Sequence, residues 1–204
     1  NLTFDFIHSS HVIEHVSSPY EYMRKCWDLL KPGGLCVFVT PNIGTPEAKW
    51  FGAHWGGLHV PRHWTLLDAR SASILGERAG FEHVSTTFST NGTFWIWSFH
   101  SLLQNKISAT WNDRIFPSDH RLAKSSIYNF LLMGGFTVPD MLNLIIARQS
   151  GNMFCIFRKP TSSYSPLRST LGFRYSPLPA GVGLRCRDDR LTRSARPRCI
   201  DILS

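Results

Sequence analysis

The segment from Thr3 to Asn42 sets two short apolar runs on either side of one helical pattern, and that order leaves few folds open. Residues 3–8, Thr-Phe-Asp-Phe-Ile-His, are β-branched and aromatic, consistent with a buried parallel strand. Ser17 and Ser18 then offer an N-cap, Pro19 suits the first helical turn, and Glu21 follows close behind. From Tyr20 to Lys31 the apolar residues Tyr22, Met23, Cys26, Trp27, Leu29 and Leu30 fall largely on one helical face. Lys31-Pro32-Gly33-Gly34 stops that helix, because proline cannot continue it and glycine accepts a left-handed turn. Leu35 to Thr40 is a second buried strand, closed by Pro41-Asn42. Strand, helix, tight turn and strand make one βαβ unit, the building block of a parallel sheet.

The rest of the chain is read against that unit. Residues 43–67 form a loop rich in Gly, Trp and His. Asp68 caps a helix running to about Arg78, Ala79-Gly80 ends it, Glu82 to Thr90 is a third strand, and Met153 to Arg158 a last one. Between Gly92 and Ser150 lie two apolar stretches, Phe94 to Ile107 and Ala123 to Ile146, the second interrupted by Gly134-Gly135 and Pro139. They are expected to form two or three helices covering the sheet or an active site. Shallow membrane contact is the less favoured alternative, motivated by tryptophans at the ends of apolar helices. No uninterrupted apolar run reaches the ~20 residues of a membrane-spanning helix.

Charge and cysteine usage exclude several classes. The net charge of +8 suggests nucleic acid until it is located: residues 161–204 hold eight of the 22 basic residues and three of the 14 acidic ones. The excess sits mostly in a Ser-, Pro- and Arg-rich tail with no sustained period, which is expected to be disordered, and no nucleic-acid partner is expected. Cys26, Cys36, Cys155, Cys186 and Cys199 are scattered, with no C-x-x-C pair, so reduced thiols in a cytoplasmic protein are expected. The chain opens on Asn1 with a strand pattern close behind, from which a missing upstream portion is expected.

The run FDFIHSSHVIEHVSSPYEYMRKCWDLLKPGGLCVFVTPN, Phe4 to Asn42, resembles the second half of the core of class I S-adenosylmethionine (SAM)-dependent methyltransferases. In that family Phe-Asp opens the fourth strand, Glu-His the next helix, and Leu-Lys-Pro-Gly-Gly precedes a fifth strand ending in Thr-Pro-Asn. A second block, Trp50-Phe51-Gly52 and then Trp55 to Trp64, followed by a helix and Ala79-Gly80-Phe81, is similar to a branch carrying a Gly-Leu-x-x-Pro-Arg-His loop after the fifth strand. The resemblance spans roughly residues 3–160. It implies an α/β fold, a partial Rossmann-like sheet of the family's strands 4 to 7. A helical insertion at about 93–149 interrupts a domain of residues 1–160, followed by the tail of 161–204.

The resemblance also implies chemistry. Ligands of open α/β sheets sit at the carboxyl ends of the strands, which puts Ser9, Ser10 and His11 at the cofactor side and the stretch after the next strand at the methyl acceptor. Methyl transfer from a sulfonium is a direct displacement governed by alignment, with a base needed only where the acceptor must lose a proton. His59 and His63, four residues apart with Arg62 beside them, are the candidates for base and substrate anchor, and Arg62 suits an acidic or phosphate-bearing acceptor. The bland alternative has this loop merely packing. His11, Glu14 and His15 would share one face of a helix and could hold a divalent metal, but ubiquinone-type O-methyltransferases carry a glutamate where His11 stands, so no metal is expected.

The family's Gly-x-Gly-x-Gly loop and the acid ending its second strand have no counterpart in these 204 residues. The chain alone is therefore expected to bind SAM poorly and to be inactive, with an unpaired sheet edge at residues 3–8. The expected function is methyl transfer from SAM to a small-molecule or lipid-like acceptor by a fragment of such an enzyme. The alternative is a catalytically inactive truncated relative acting through protein interaction, self-associating or pairing at that edge.

Overall fold

The computed structural model describes residues 3–161 and 199–203, and these fall into two compact units. The first unit comprises residues 3–40, 69–87, 154–161 and 199–203; the second comprises 41–68 and 88–153.

The first unit carries a five-stranded sheet in the order β3-β4-β2-β1-β5, which establishes the α/β class. β1 is Phe4–Ser10, β2 Leu30–Pro41, β3 Glu82–Ser89, β4 Asn152–Arg158 and β5 Cys199–Leu203. Helix α1, Pro19–Leu29, crosses from β1 to β2, and the two strands pair in parallel as the βαβ reading requires. Ser18 caps α1 by accepting from the backbone N–H of Glu21 at 3.3 Å. The Lys31-Pro32-Gly33-Gly34 turn lies inside β2 and not before it. The extra residues are absorbed by a register shift between Phe4 and Phe6, with Gly33 at φ 82°. Helix α3, Ala69–Arg78, packs on α1, and Gly76 lets it approach the ring of Phe157, where a Cβ would collide. Phe38, Phe81 and Phe157 form a cluster of edge-on and tilted rings in the core of this unit.

Two expectations fail here. The sheet edge at residues 3–8 is not raw: β5 pairs in parallel with β1, Phe6 opposite Cys199 through Ser10 opposite Leu203. Cys-Ile-Asp-Ile-Leu is a short β-branched run with Ile200 buried, so it satisfies the edge's backbone groups, and His8 Nδ1 lies 3.3 Å from Asp201. Residues 199–203 therefore leave the expected disordered tail, and pairing of the chain with another molecule through that edge loses its motive. The remainder of the tail, residues 162–198, lies outside the described residues.

The second unit is helical: α2 (Pro46–Phe51), α4 (Thr93–Leu103), α5 (Ala109–Ile115), α6 (Asp119–Leu122) and α7 (Ile127–Ala147), with single 3-10 turns at 52–54 and 56–58. Residues 43–67 are thus not all loop. Thr45 caps α2 through its hydroxyl to the N–H of Ala48 at 3.1 Å, with Pro46 in the first turn. Ala48, Trp55 and Phe94 form this unit's core, supported by Phe51, Leu58, Leu66 and Trp97. α7 runs unbroken for 21 residues through Gly134, Gly135 and Pro139, so the expected interruption is absent. It is long and apolar enough to cross a membrane, with mean hydropathy 1.6, which corrects the reading of no such run.

Candidate active site

In the first unit, the carboxyl end of β1 runs into a tight turn at residues 11–16 and not into a helix. His11 takes a left-handed backbone, φ 53°, while its N–H still reaches Val39 O of β2 at 2.9 Å. Its Nδ1 lies 3.0 Å from Glu14 Oε1, and the second carboxylate oxygen accepts from Thr40 Oγ1 at 3.0 Å. Glu14 is buried and so stands as the brace that ties the turn to the end of β2. His15 donates its backbone N–H to Val12 O at 2.9 Å. The three residues proposed as metal ligands thus share a turn, and within it Glu14 is already engaged by His11 and by Thr40. Ser9 is buried, its hydroxyl 2.8 Å from Tyr22 Oη inside the unit. Burial, reinforced by the nearby Cys26, holds that phenol well above its ordinary range, so Tyr22 is a neutral hydrogen-bonding group here. Ser10 and His11 are the partly exposed positions at this strand end, with the His11 side chain 38% exposed.

In the second unit, His59, Arg62 and His63 occupy one turn after the 3-10 segment at 56–58. His59 has φ 42°, and its carbonyl accepts from the N–H of Arg62 at 2.9 Å and of His63 at 3.3 Å. The His59 ring stacks on Trp97, centroids 5.7 Å apart and planes at 20°, and meets the His63 ring edge-on at 5.2 Å. His63 Nδ1 lies 2.8 Å from Gly57 O; a carbonyl only accepts, so Nδ1 carries the proton and Nε2 keeps its lone pair in the neutral ring. Arg62 is exposed. The turn can sit this close to α4 because residue 56 is glycine: a Cβ there would lie 2.5 Å from Phe94 O and 2.7 Å from Trp97 Cβ. Its N–H is bound by Ser98 Oγ at 2.8 Å.

A pocket of about 390 Å³ opens within this unit, within the size range of small-molecule sites. His59 and Trp97 form part of its wall, together with His100, Ser101, Gln104 and His120. His63 and Arg62 do not line it. His100 Nδ1 is 2.6 Å from Phe116 O, which again puts the proton on Nδ1 and leaves Nε2 as an acceptor. Sequence reasoning missed His100, His120 and Trp97. The signal for the first was available: His100 is the lone ionisable side chain in the apolar run Phe94 to Leu103. His120 lies in the α6 segment between the two apolar stretches, where no period marks it.

Beneath this turn lies a pair of buried acids. Glu47 of α2 accepts from Trp55 Nε1 at 3.2 Å and from Asn143 Nδ2 at 3.4 Å. Burial, then the charge of Asp140, pushes Glu47 up from 4.5 to about 8. Asp140 Oδ2 takes the N–H of Asn91 at 2.6 Å and the hydroxyl of Ser150 at 2.8 Å. Asp140 Oδ1 is buried and, among the described residues, has no hydrogen-bond partner.

Comparison with known proteins bears on the first unit above all. Residues 1–86 match the family model described as a methyltransferase domain. A ubiquinone biosynthesis O-methyltransferase of Roseobacter denitrificans is 51% identical over 121 residues, 52% of this chain and 47% of that protein. One from Cereibacter sphaeroides is 49% identical over 102 residues, 47% of this chain and 41% of the relative. The chain spans about half the length of the curated relatives it matches. Among solved structures, a SAM-dependent methyltransferase from Archaeoglobus fulgidus superposes with TM-score 0.41 at 18% identity, over 77% of this chain and 60% of that one. A phosphoethanolamine N-methyltransferase of Haemonchus contortus in complex with S-adenosyl-L-methionine superposes with TM-score 0.42 at 16% identity, over 78% and 35%.

Proposed function

We propose that this chain, whose residues 1–86 match the family model described as a methyltransferase domain, is part of a class I, SAM-dependent enzyme and serves methyl transfer from SAM to a small-molecule or lipid-like acceptor in the cytoplasm. The observation that carries the reading is the domain match itself, laid over a strand–helix–strand unit whose parallel β1 and β2 end in the turn bearing Ser10 and His11. SAM is the methyl donor of this chemistry. Of the residues in this chain, Ser10 and His11 would hold it: they are partly open at the strand end, whereas Ser9 is turned inward to Tyr22. The Glu14 brace fixes the His11 backbone in its left-handed turn and so sets the direction in which that strand end presents its groups.

The acceptor belongs to the pocket of the second unit in this reading. Trp97 and the stacked His59 supply a flat aromatic wall. His59 and His100 are the imidazoles that can take a proton from an acceptor hydroxyl, with Nε2 of His100 unprotonated in the neutral ring. His63, held to Gly57 O, positions His59, and exposed Arg62 would draw an acidic or phosphate-bearing acceptor toward the mouth.

Calorimetric titration with SAM of the protein translated from its complete reading frame tests the reading, followed by transfer of labelled methyl to phenolic acceptors. SAM binding that survives His100→Ala, with transfer that falls on it, supports the reading. Absence of SAM binding by that protein sinks it.

A further inference from the structure

The second unit carries an inverted helix. In α7 the two buried residues are polar and hydrogen-bonded, while Leu132, Met133, Phe136 and Leu144 are half-buried and Phe136 packs on Phe99 and Phe116. Asn129 donates through Nδ2 to Arg121 O at 2.7 Å and Lys124 O at 2.8 Å. Asp140 accepts from Asn91 and Ser150, and Asn143 donates to Glu47. Asn129 and Asp140 are the buried residues of the whole helix. The outward residues are apolar: Ile127 is 81% exposed, Phe130 78%, Leu131 65%, Val138 57%, Ile145 66% and Ile146 79%. A helix of a protein bathed in water does the reverse, with its apolar stripe inward. Apart from Phe136 and its half-buried neighbours, the apolar share of α7 does not serve the core, since 6% of its most hydropathic window is buried.

We propose that this face docks in the plane of an anionic lipid bilayer. Three observations favour lipid over a protein surface. The outward face of α7 has no charged residue, while Lys124 stands just before the helix and Arg148 just after it, as cations do at headgroup level beside a buried apolar face; Arg121 is already paired with Asp113. The stripe is wide as well as long. Phe130 with Leu131, Met141 with Leu142, and Ile145 with Ile146 are all at least half exposed along a helix of roughly 31 Å, broader than the narrow seam that pairs two helices. The patch also continues onto α5, where Trp111, 59% exposed, lies under Arg114 at 5.5 Å and Tyr128 donates its hydroxyl to Ile115 O at 2.6 Å. An amphipathic aromatic beside a cation suits the bilayer interface. The Glu47–Asp140 pair and the Asn129 contacts hold the polar face to the unit, so the helix lies along the membrane and does not cross it. This inference stands apart from the methyl-transfer reading.

The test is flotation of the purified chain with vesicles of phosphatidylcholine and phosphatidylglycerol, with no activity readout. The chain should float with the vesicles, and Leu131→Glu and Ile145→Glu should each weaken partitioning by roughly tenfold or more. Both sites are solvent-exposed, so far-ultraviolet circular dichroism and Tm should stay those of the parent. Ile74→Glu, at an exposed apolar residue of α3, should float like the parent. A chain that stays in the aqueous fraction overturns the proposal. So does flotation that survives the α7 substitutions, or a vesicle-independent dimer that those substitutions dissolve.

Discussion

Replacing Glu47 with Gln removes one proton equilibrium from the middle of the second unit and leaves its shape intact. Glu47 ionises at about 8 in the folded protein against an ordinary 4.5, so between those values the folded state holds a proton that the unfolded chain has released. Stability from this group is fully present below pH 4.5 and is lost as the pH rises through 8. The distance from 4.5 to about 8 corresponds to roughly 5 kcal/mol at 1.36 kcal/mol per tenfold step, a ceiling for a rigid site. Relaxation and water entry lower it, and we expect about 2 kcal/mol. Glutamine still accepts from Trp55 Nε1, and its amide adds a neutral donor near Asp140, whose Oδ1 has no hydrogen-bond partner among the described residues. Asn143, at 3.4 Å, must rotate its amide to stay bonded. Urea unfolding followed by tryptophan fluorescence at closely spaced pH values gives both curves, and their difference isolates Glu47 from every other titrating group. The difference should be small at pH 4, grow through neutrality in favour of Gln, and level off above pH 8. A difference that is flat, or that favours the parent at pH 8, refutes the reasoning that burial keeps Glu47 protonated.

Other substitutions probe separate joints. Gly56→Ala forces a methyl against Phe94 O and the Trp97 side chain and should cost about 1–3 kcal/mol in urea unfolding, with loss of the near-ultraviolet signal of the second unit. Lys159→Met removes donors lying 2.8 Å from Trp27 O and 2.7 Å from Leu30 O and the cation 3.8 Å from the Trp27 ring; Tm should fall by the equivalent of about 1–2 kcal/mol. His100→Gln loses the donor to Phe116 O and should cost about 0.5–1.5 kcal/mol in urea unfolding, and it should lower transfer to the acceptor while leaving SAM affinity unchanged.

The first forty residues were legible because local signals agree there. Ser18 and Pro19 begin α1, the turn glycines follow it, and two β-branched runs need only pair in parallel. The position of the Pro-Gly-Gly turn was read one element too early, since a bulge inside β2 and a turn before it have the same composition. Residues 43–67 hid α2 behind glycines and tryptophans, although Thr45-Pro46-Glu47 is itself a helix-start signal. β5 was illegible for a different reason. A five-residue strand has too few positions for a period, and only its partner β1, some 190 residues earlier, gives it a place. In the candidate site, His59 was found by spacing from His63, whereas the pocket's other imidazoles come from α4 and α6 and converge only in three dimensions.

α7 marks where periodicity stops being informative. The spacing of Ile127, Leu131, Val138, Met141 and Ile145 is that of an ordinary amphipathic helix, and such a stripe is normally assigned to a core. The stripe tells which residues share a face but not which medium that face meets. The medium is decided by the opposite face, and here Asn129, Asp140 and Asn143 are each committed to a hydrogen bond with another segment of the unit. Rotating the helix by half a turn to bury the isoleucines would strand those polar groups away from their partners and cost about 1–3 kcal/mol for each one left unsatisfied. The polar anchors thus hold the apolar face outward. A chain with that geometry gains by giving the face something other than water, and Lys124 and Arg148 at its two ends favour an anionic surface.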